Sequence, residues 1–201
     1  MLTYGTCLIG YSLVLVQGQW KIMPPTNPLE PILEEIERAL SLKLGYLALT
    51  VALTIPSICV ALEHPSGEDD SGRYRKWYKQ HIGAKFKNLT PSDCWSLRCG
   101  VVHQGRFGTD SQKYDRVVFV PPTDKTLRIK GSAILNFTRP GAPPTCLLLE
   151  LRDFCEAMIG GARDWFAANQ ADPVVLRNMQ RLVKPRPEGL DAAFDVGPVI
   201  W

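Results

Sequence analysis

The chain has 201 residues, of which 45% are hydrophobic and 21% charged, and its net charge is +3. That balance fits one ordinary globular domain, long enough to bury a core, and so small a net charge makes no case for a nucleic-acid partner by itself. Six cysteines (Cys7, Cys59, Cys94, Cys99, Cys146, Cys155) include no C-x-x-C pair and sit mostly in apolar stretches; they read as reduced, buried thiols of a cytoplasmic protein rather than a disulfide framework.

Residues 1–24 stand apart. The apolar run Leu8–Val16 is too short to span a membrane and no basic residue precedes it, which argues against a secretory signal, so no membrane partner is expected. The segment is read as an N-terminal extension, with Met23 as the natural start; an ordinary N-terminal strand or helix is the alternative. Residues 25–183 are expected to form the helical domain. From Leu29 to Thr54 apolar residues recur at steps of three and four, with Glu34, Glu35 and Glu37 early and Arg38 and Lys43 later, as a helix dipole prefers. LGYLALTVALT is apolar nearly all round and predicts the central helix. Pro56 is expected to end or kink it, leaving a short further helix to Glu63. Glu63 and His64 read as helix-end residues.

PSGEDDSG (65–72) is a loop. The stretch from Ser71 to Asn88 then carries Arg73, Arg75, Lys76, Lys79, Lys85 and Lys87 with no acidic residue, interleaved with Tyr74, Trp77, Tyr78 and Phe86. One reading is an RNA-binding surface whose cations track phosphates and whose rings stack on unpaired bases. The other is a solvated helix face with its aromatics in the core. His81 is a further candidate within it.

The segment that organises the chain is TPSDCWSLRCGVVHQGRF (90–107). Thr90 predicts an N-cap, Pro91 suits the first helical position, Asp93 places negative charge in the first turn, and Gly105 is a stop. Trp95, Leu97, Val101 and Val102 supply a buried side. Arg98 and His103 then arrive near the helix end. Imidazole exchanges a proton near neutrality, and guanidinium matches a pair of phosphate oxygens, so together they suit phosphodiester chemistry. Against this stands a structural pair that caps a terminus or makes a salt bridge. A regular α-helix would leave residues five apart roughly 140° out of phase, so either the helix distorts near His103 or a second subunit completes the site. Cys99 and His103 share a helical face, but Cys94, Cys99 and His103 fit no common zinc pattern. Neither a metal nor a cofactor is expected.

Beyond Gly105, DRVVFVPP (115–122) and TLRIKGSAILNF (126–137) predict two strands of a β-hairpin turning at Thr123–Lys125. After RPGAPPT, residues 146–170 predict one long amphipathic helix in which Gly160 and Gly161 permit close helix approach. Asp172 and Pro173 start a last helix, and 184–201 is a Pro- and Gly-rich tail.

LRCGVVHQG resembles the signature of the HEPN superfamily: an Arg, four to six residues and a His, in an apolar helix of a small helical bundle. Cys99 stands where many members carry Asn or Asp, and Gly105 where some toxin members carry a Tyr that an antitoxin modifies. The resemblance implies a mainly α fold, a four- to five-helix bundle here with an inserted β-hairpin at about 115–137. It also implies a metal-independent endoribonuclease, with Arg98 and His103 as catalytic residues. RNA would be the substrate, a homodimer the working form, and a toxin or defence system with an antitoxin or other partner protein the setting. A non-catalytic HEPN-like module that binds RNA, a nucleotide or a partner is the alternative.

Overall fold

The computed structural model describes residues 6–8, 11–16, 19–23, 27–106, 114, 116–121, 132–136, 145–183, 185–186 and 199–200. It is mainly helical, with a small three-stranded mixed sheet. The N-terminal segment forms an antiparallel meander of β1 (Thr6–Leu8), β2 (Tyr11–Val16) and β3 (Gln19–Met23).

The expected helix over 29–54 is two helices, α1 (Glu30–Ser41) and α2 (Gly45–Glu63). The break falls at Lys43, whose φ of 59° is the left-handed conformation usually given to glycine. With no Gly or Pro at that position, periodicity ran straight through the corner. Pro56 does not end α2 but lies within it. A proline inside a helix costs about 3 kcal/mol; here it is buried in a helix that packs against α1 and four later helices, and that burial outweighs the missing hydrogen bond. α2 is apolar all round, as expected of the central helix, and its far end is closed by the buried Asn178, whose amide donates to the carbonyls of Leu62 (3.0 Å) and His64 (2.8 Å).

α3 (Ser71–His81) begins at Asp70, whose carboxylate accepts from the N–H groups of Gly72 and Arg73 at 2.7 and 2.8 Å. α4 (Pro91–Cys99) starts as its sequence predicts. The Thr90 hydroxyl accepts from Asp93 N–H at 3.1 Å and the Asp93 carboxylate accepts from Thr90 N–H at 3.0 Å, a reciprocal capping box.

The expected β-hairpin is corrected. β4 (Arg116–Val120) and β5 (Ser132–Asn136) do not pair with each other; β6 (Thr145–Glu150) lies between them, parallel to β4 and antiparallel to β5. β6 is the start of what periodicity predicted as helix. Cys146 to Leu149 are all buried, and a strand covered on both faces reads as a continuous apolar run, which period alone does not separate from a helix. The turn at Thr123–Lys125 lies outside the described residues.

α5 (Leu151–Asn169) follows directly, capped by the Glu150 carboxylate, and α6 (Pro173–Met179) is capped by Asp172. β7 (Pro185–Arg186) and β8 (Val199–Ile200) pair across the tail, most of which lies outside the described residues. The core sits where α5 lies on α2. Fully buried Phe154 meets Phe86 and Phe119 edge-on at 5.6 and 5.2 Å, joining bundle to sheet. Tyr74 and Tyr78 are fully buried and donate to the carbonyls of Leu53 and Leu89, which ties α3 to α2 and to the approach to α4.

Candidate phosphate-handling site

The motif helix does distort. α4 passes at Gly100 into a π-helical turn, Gly100–Gln104, which Gly105 ends with φ of 62°. In π geometry the hydrogen bond runs from residue i to i+5, so residues five apart fall on successive turns of one face. That change of pitch removes the phase difference a regular helix would leave. Arg98 Nη1 lies 2.7 Å from His103 Nε2, within one chain. The buried side of the same segment, Cys94, Leu97, Gly100 and Val101, holds the turn against the bundle. A local break in periodicity is not written in apolar spacing, but the Arg–x4–His interval was the signal that some distortion was needed.

The contact fixes the chemistry of the ring. A guanidinium has only N–H groups to offer, so Nε2 accepts and the neutral imidazole carries its proton on Nδ1. His103 is exposed, whereas only 16% of the Arg98 side chain is. Arg98 lies over the Trp95 ring, 5.1 Å from its centroid, and its Nη2 is 3.7 Å from Asp69 Oδ2. It lines an open groove of about 550 Å³ with Thr54, Ser57, Ile58, Gly67, Glu68 and Asp69. A site at this end of α4 thus offers one cation, one proton acceptor and a solvent-facing approach. Asp69, in the loop after α2, was not singled out from sequence; its acidic neighbours in PSGEDDSG read only as loop composition.

The basic stretch divides. Arg75, Lys76, Lys79, Lys85 and Lys87 are exposed and Arg73 is half-buried. Arg73 is paired to Asp70 at 3.0 Å, and Arg75 donates to the Ser71 carbonyl at 2.8 Å. Arg73 and Lys76 line a second cavity with Glu63, Trp77, His81 and Trp165, and none of the six basic residues lines the Arg98 groove. The stacking reading of the aromatics is overturned. Tyr74, Trp77, Tyr78 and Phe86 are all at most 3% exposed, because their spacing along the chain is the core face of α3 and its exit. His81 stacks on Trp77 with centroids 4.7 Å apart, and burial pushes its pKa below the ordinary value against the opposing fields of Asp164 and Glu63. Glu63 accepts from the Trp165 indole N–H, and His64 Nδ1 meets Ser66 Oγ at 2.7 Å.

Cys94 is fully buried beside the Tyr74 hydroxyl, and burial pushes its thiol up to about 12, which keeps it protonated and a poor nucleophile at neutral pH. No protein-family model matches this chain, and neither a curated protein nor a solved structure matches it.

Proposed function

We propose that the protein is a HEPN-like, metal-independent endoribonuclease that acts at the Arg98–His103 pair. The 2′-hydroxyl of a ribose attacks the adjacent phosphorus, its proton passes to a base, and the 5′-oxygen leaves with a proton returned to it. The products are a 2′,3′-cyclic phosphate and a 5′-hydroxyl. His103, at an exposed helix end, suits the proton transfers once a bound phosphate draws the Arg98 donor off Nε2, and the Arg98 fork suits the phosphate charge that grows in the transition state. The observation that carries this reading is the π-turn, which unites two groups that a regular helix would hold apart. Lys76, Lys79, Lys85 and Lys87, with Arg73 and Arg75, would hold flanking RNA by charge alone, since their neighbouring rings are in the core. A cytoplasmic homodimer serving a toxin or defence system, restrained by an antitoxin or other partner protein, is the setting the motif resemblance implies.

The test is cleavage of single-stranded RNA by purified wild type, Arg98→Ala and His103→Ala, with product ends mapped. Each substitution is expected to reduce the rate by at least about 100-fold while leaving the circular dichroism unchanged. Equal cleavage by the double variant refutes the mechanism. A binding module that does not cleave is the second reading. It is favoured by the carboxylate of Asp69 close to Arg98 and the small exposed fraction of that side chain, since the fork is already engaged. Under it, wild type binds RNA and leaves it intact.

A further inference from the structure

Arg98 makes three contacts of different kinds, and only one of them is with His103. Its Nη1 is on His103, its plane lies over Trp95, and its Nη2 faces Asp69 Oδ2. Its Nε is enclosed and meets no acceptor among the described residues, so the fork is oriented from its two amino groups and its face. The backbone that carries Asp69 is held on both sides, while its enclosed Oδ2 meets no hydrogen-bond donor among the described residues and faces Arg98 across 3.7 Å. Gly67, at φ of 74°, turns the loop so that its N–H reaches the His64 carbonyl at 2.9 Å. Arg177 donates to the Pro65 carbonyl at 2.9 Å, and the next residue, Asp70, is locked onto the start of α3. A carboxylate on a loop pinned at both ends, with the oxygen that faces the cation shielded from solvent, attracts a flexible cation to one place by charge.

We infer that Asp69 is a positioning residue: together with Trp95 it clamps the Arg98 guanidinium so that Nη1 meets His103 Nε2 and fixes the imidazole as its Nδ1–H tautomer. Without the negative partner, Arg98 keeps its charge but loses the attraction that selects one rotamer, and a long side chain at a groove mouth samples several. The ring then loses the donor that held Nε2 bare. Deepening the proposed function, this inference names a third member of the same site, but the orientation of the pair does not require that RNA be the substrate.

The experiment reads the tautomer directly. Protein labelled with ¹⁵N-histidine is observed by NMR at a pH where the rings are neutral, with the three histidines assigned by His64→Gln and His81→Gln. Wild type and Asp69→Glu are expected to hold His103 as Nδ1–H; Asp69→Asn and Arg98→Ala are expected to shift it to a mixture rich in Nε2–H. If the protein cleaves RNA, Asp69→Asn is expected to lower kcat about 10-fold with little change in KM, as a misplaced group does, and Asp69→Glu to recover most of it. An unchanged His103 tautomer in Asp69→Asn overturns the inference. So does faster cleavage or tighter RNA binding by that variant, which would make Asp69 a mask over Arg98. A protein that cleaves no RNA but shows the tautomer shift defeats the nuclease reading and leaves the clamp standing.

Discussion

Asp70 carries the chain from the groove loop into α3, and its work is separable from that of Asp69 beside it. The N–H groups of Arg73 and Gly72 point at its carboxylate, and Arg73 adds a cation, with the backbone bond from Arg73 the largest influence. Its pKa is therefore held below the ordinary carboxylate value, in the folded state only. The sign follows: the unfolded chain takes up a proton at higher pH than the folded chain does, so the stability Asp70 contributes is present above its unfolded pKa and is lost as pH falls through the folded one. An asparagine at this position still caps a helix but does not titrate. Wild type is expected to be more stable than Asp70→Asn near neutrality, and the gap to narrow through the acid range. Urea midpoints of the two proteins across pH would show it; a gap that stays constant into acid would mean that the cap does not depend on the charge.

At the scale of elements, Gly160 and Gly161 are neighbours in α5 with opposite duties. A Cβ on Gly161 would come within 2.8 Å of Ile82 Cδ1, 3.1 Å of Trp77 Cη2 and 3.2 Å of His81 Cβ, so its missing side chain is what lets α5 approach α3. A Cβ on Gly160 would meet nothing within 4 Å. Gly161→Ala is expected to destabilise by about 1–3 kcal/mol through overpacking. Gly160→Ala is expected to stabilise by about 0.5–1 kcal/mol, since alanine is the better helix former. Equal effects of the two in urea denaturation would disprove the assignment of the contact to Gly161. The sequence pointed to the pair but not to which member mattered, because facing depends on the neighbouring helix. The same limit explains the other element-level outcomes. Helix starts with side-chain caps, at Thr90 and Asp172, were legible because the signal is local. The corner at Lys43 and the central strand β6 were not, since one uses an unfavourable residue for a left-handed turn and the other is identified only by its partners β4 and β5. The site lay between these cases: Arg98 and His103 were marked by their interval, the pitch that unites them by the conflict it resolves, and Asp69 by nothing short of tertiary contact.

For the whole molecule, the thiols report how the body is held together. Cys59 on α2, Cys94 on α4, Cys146 on β6 and Cys155 on α5 are buried, while Cys99 is only partly so. They therefore sample the central helix, the motif helix, the sheet and the helix that joins them. Burial pushes the Cys94 and Cys155 thiols up to about 12 and raises that of Cys59 well above the ordinary 9.0. A neutral, enclosed thiol is unreactive on both counts, because the thiolate is the nucleophile and the reagent needs access. In a Cys7→Ser background, a thiol reagent is expected to label Cys99 quickly in the native protein. Cys59, Cys94, Cys146 and Cys155 are expected to react together, at a rate set by unfolding of a single cooperative body. The same groups set an alkaline limit. Above pH 9 the unfolded chain releases thiol protons that the folded chain keeps until about 12, so the native state binds more protons and stability falls as pH rises. Replacing Cys94 and Cys155 by alanine is expected to flatten that fall, measured as urea midpoints at about pH 8 and about pH 10. If Cys155 instead reacted well before Cys59, α5 and β6 would be opening apart from α2, and the contact of α5 on α2 would not be the centre of the fold.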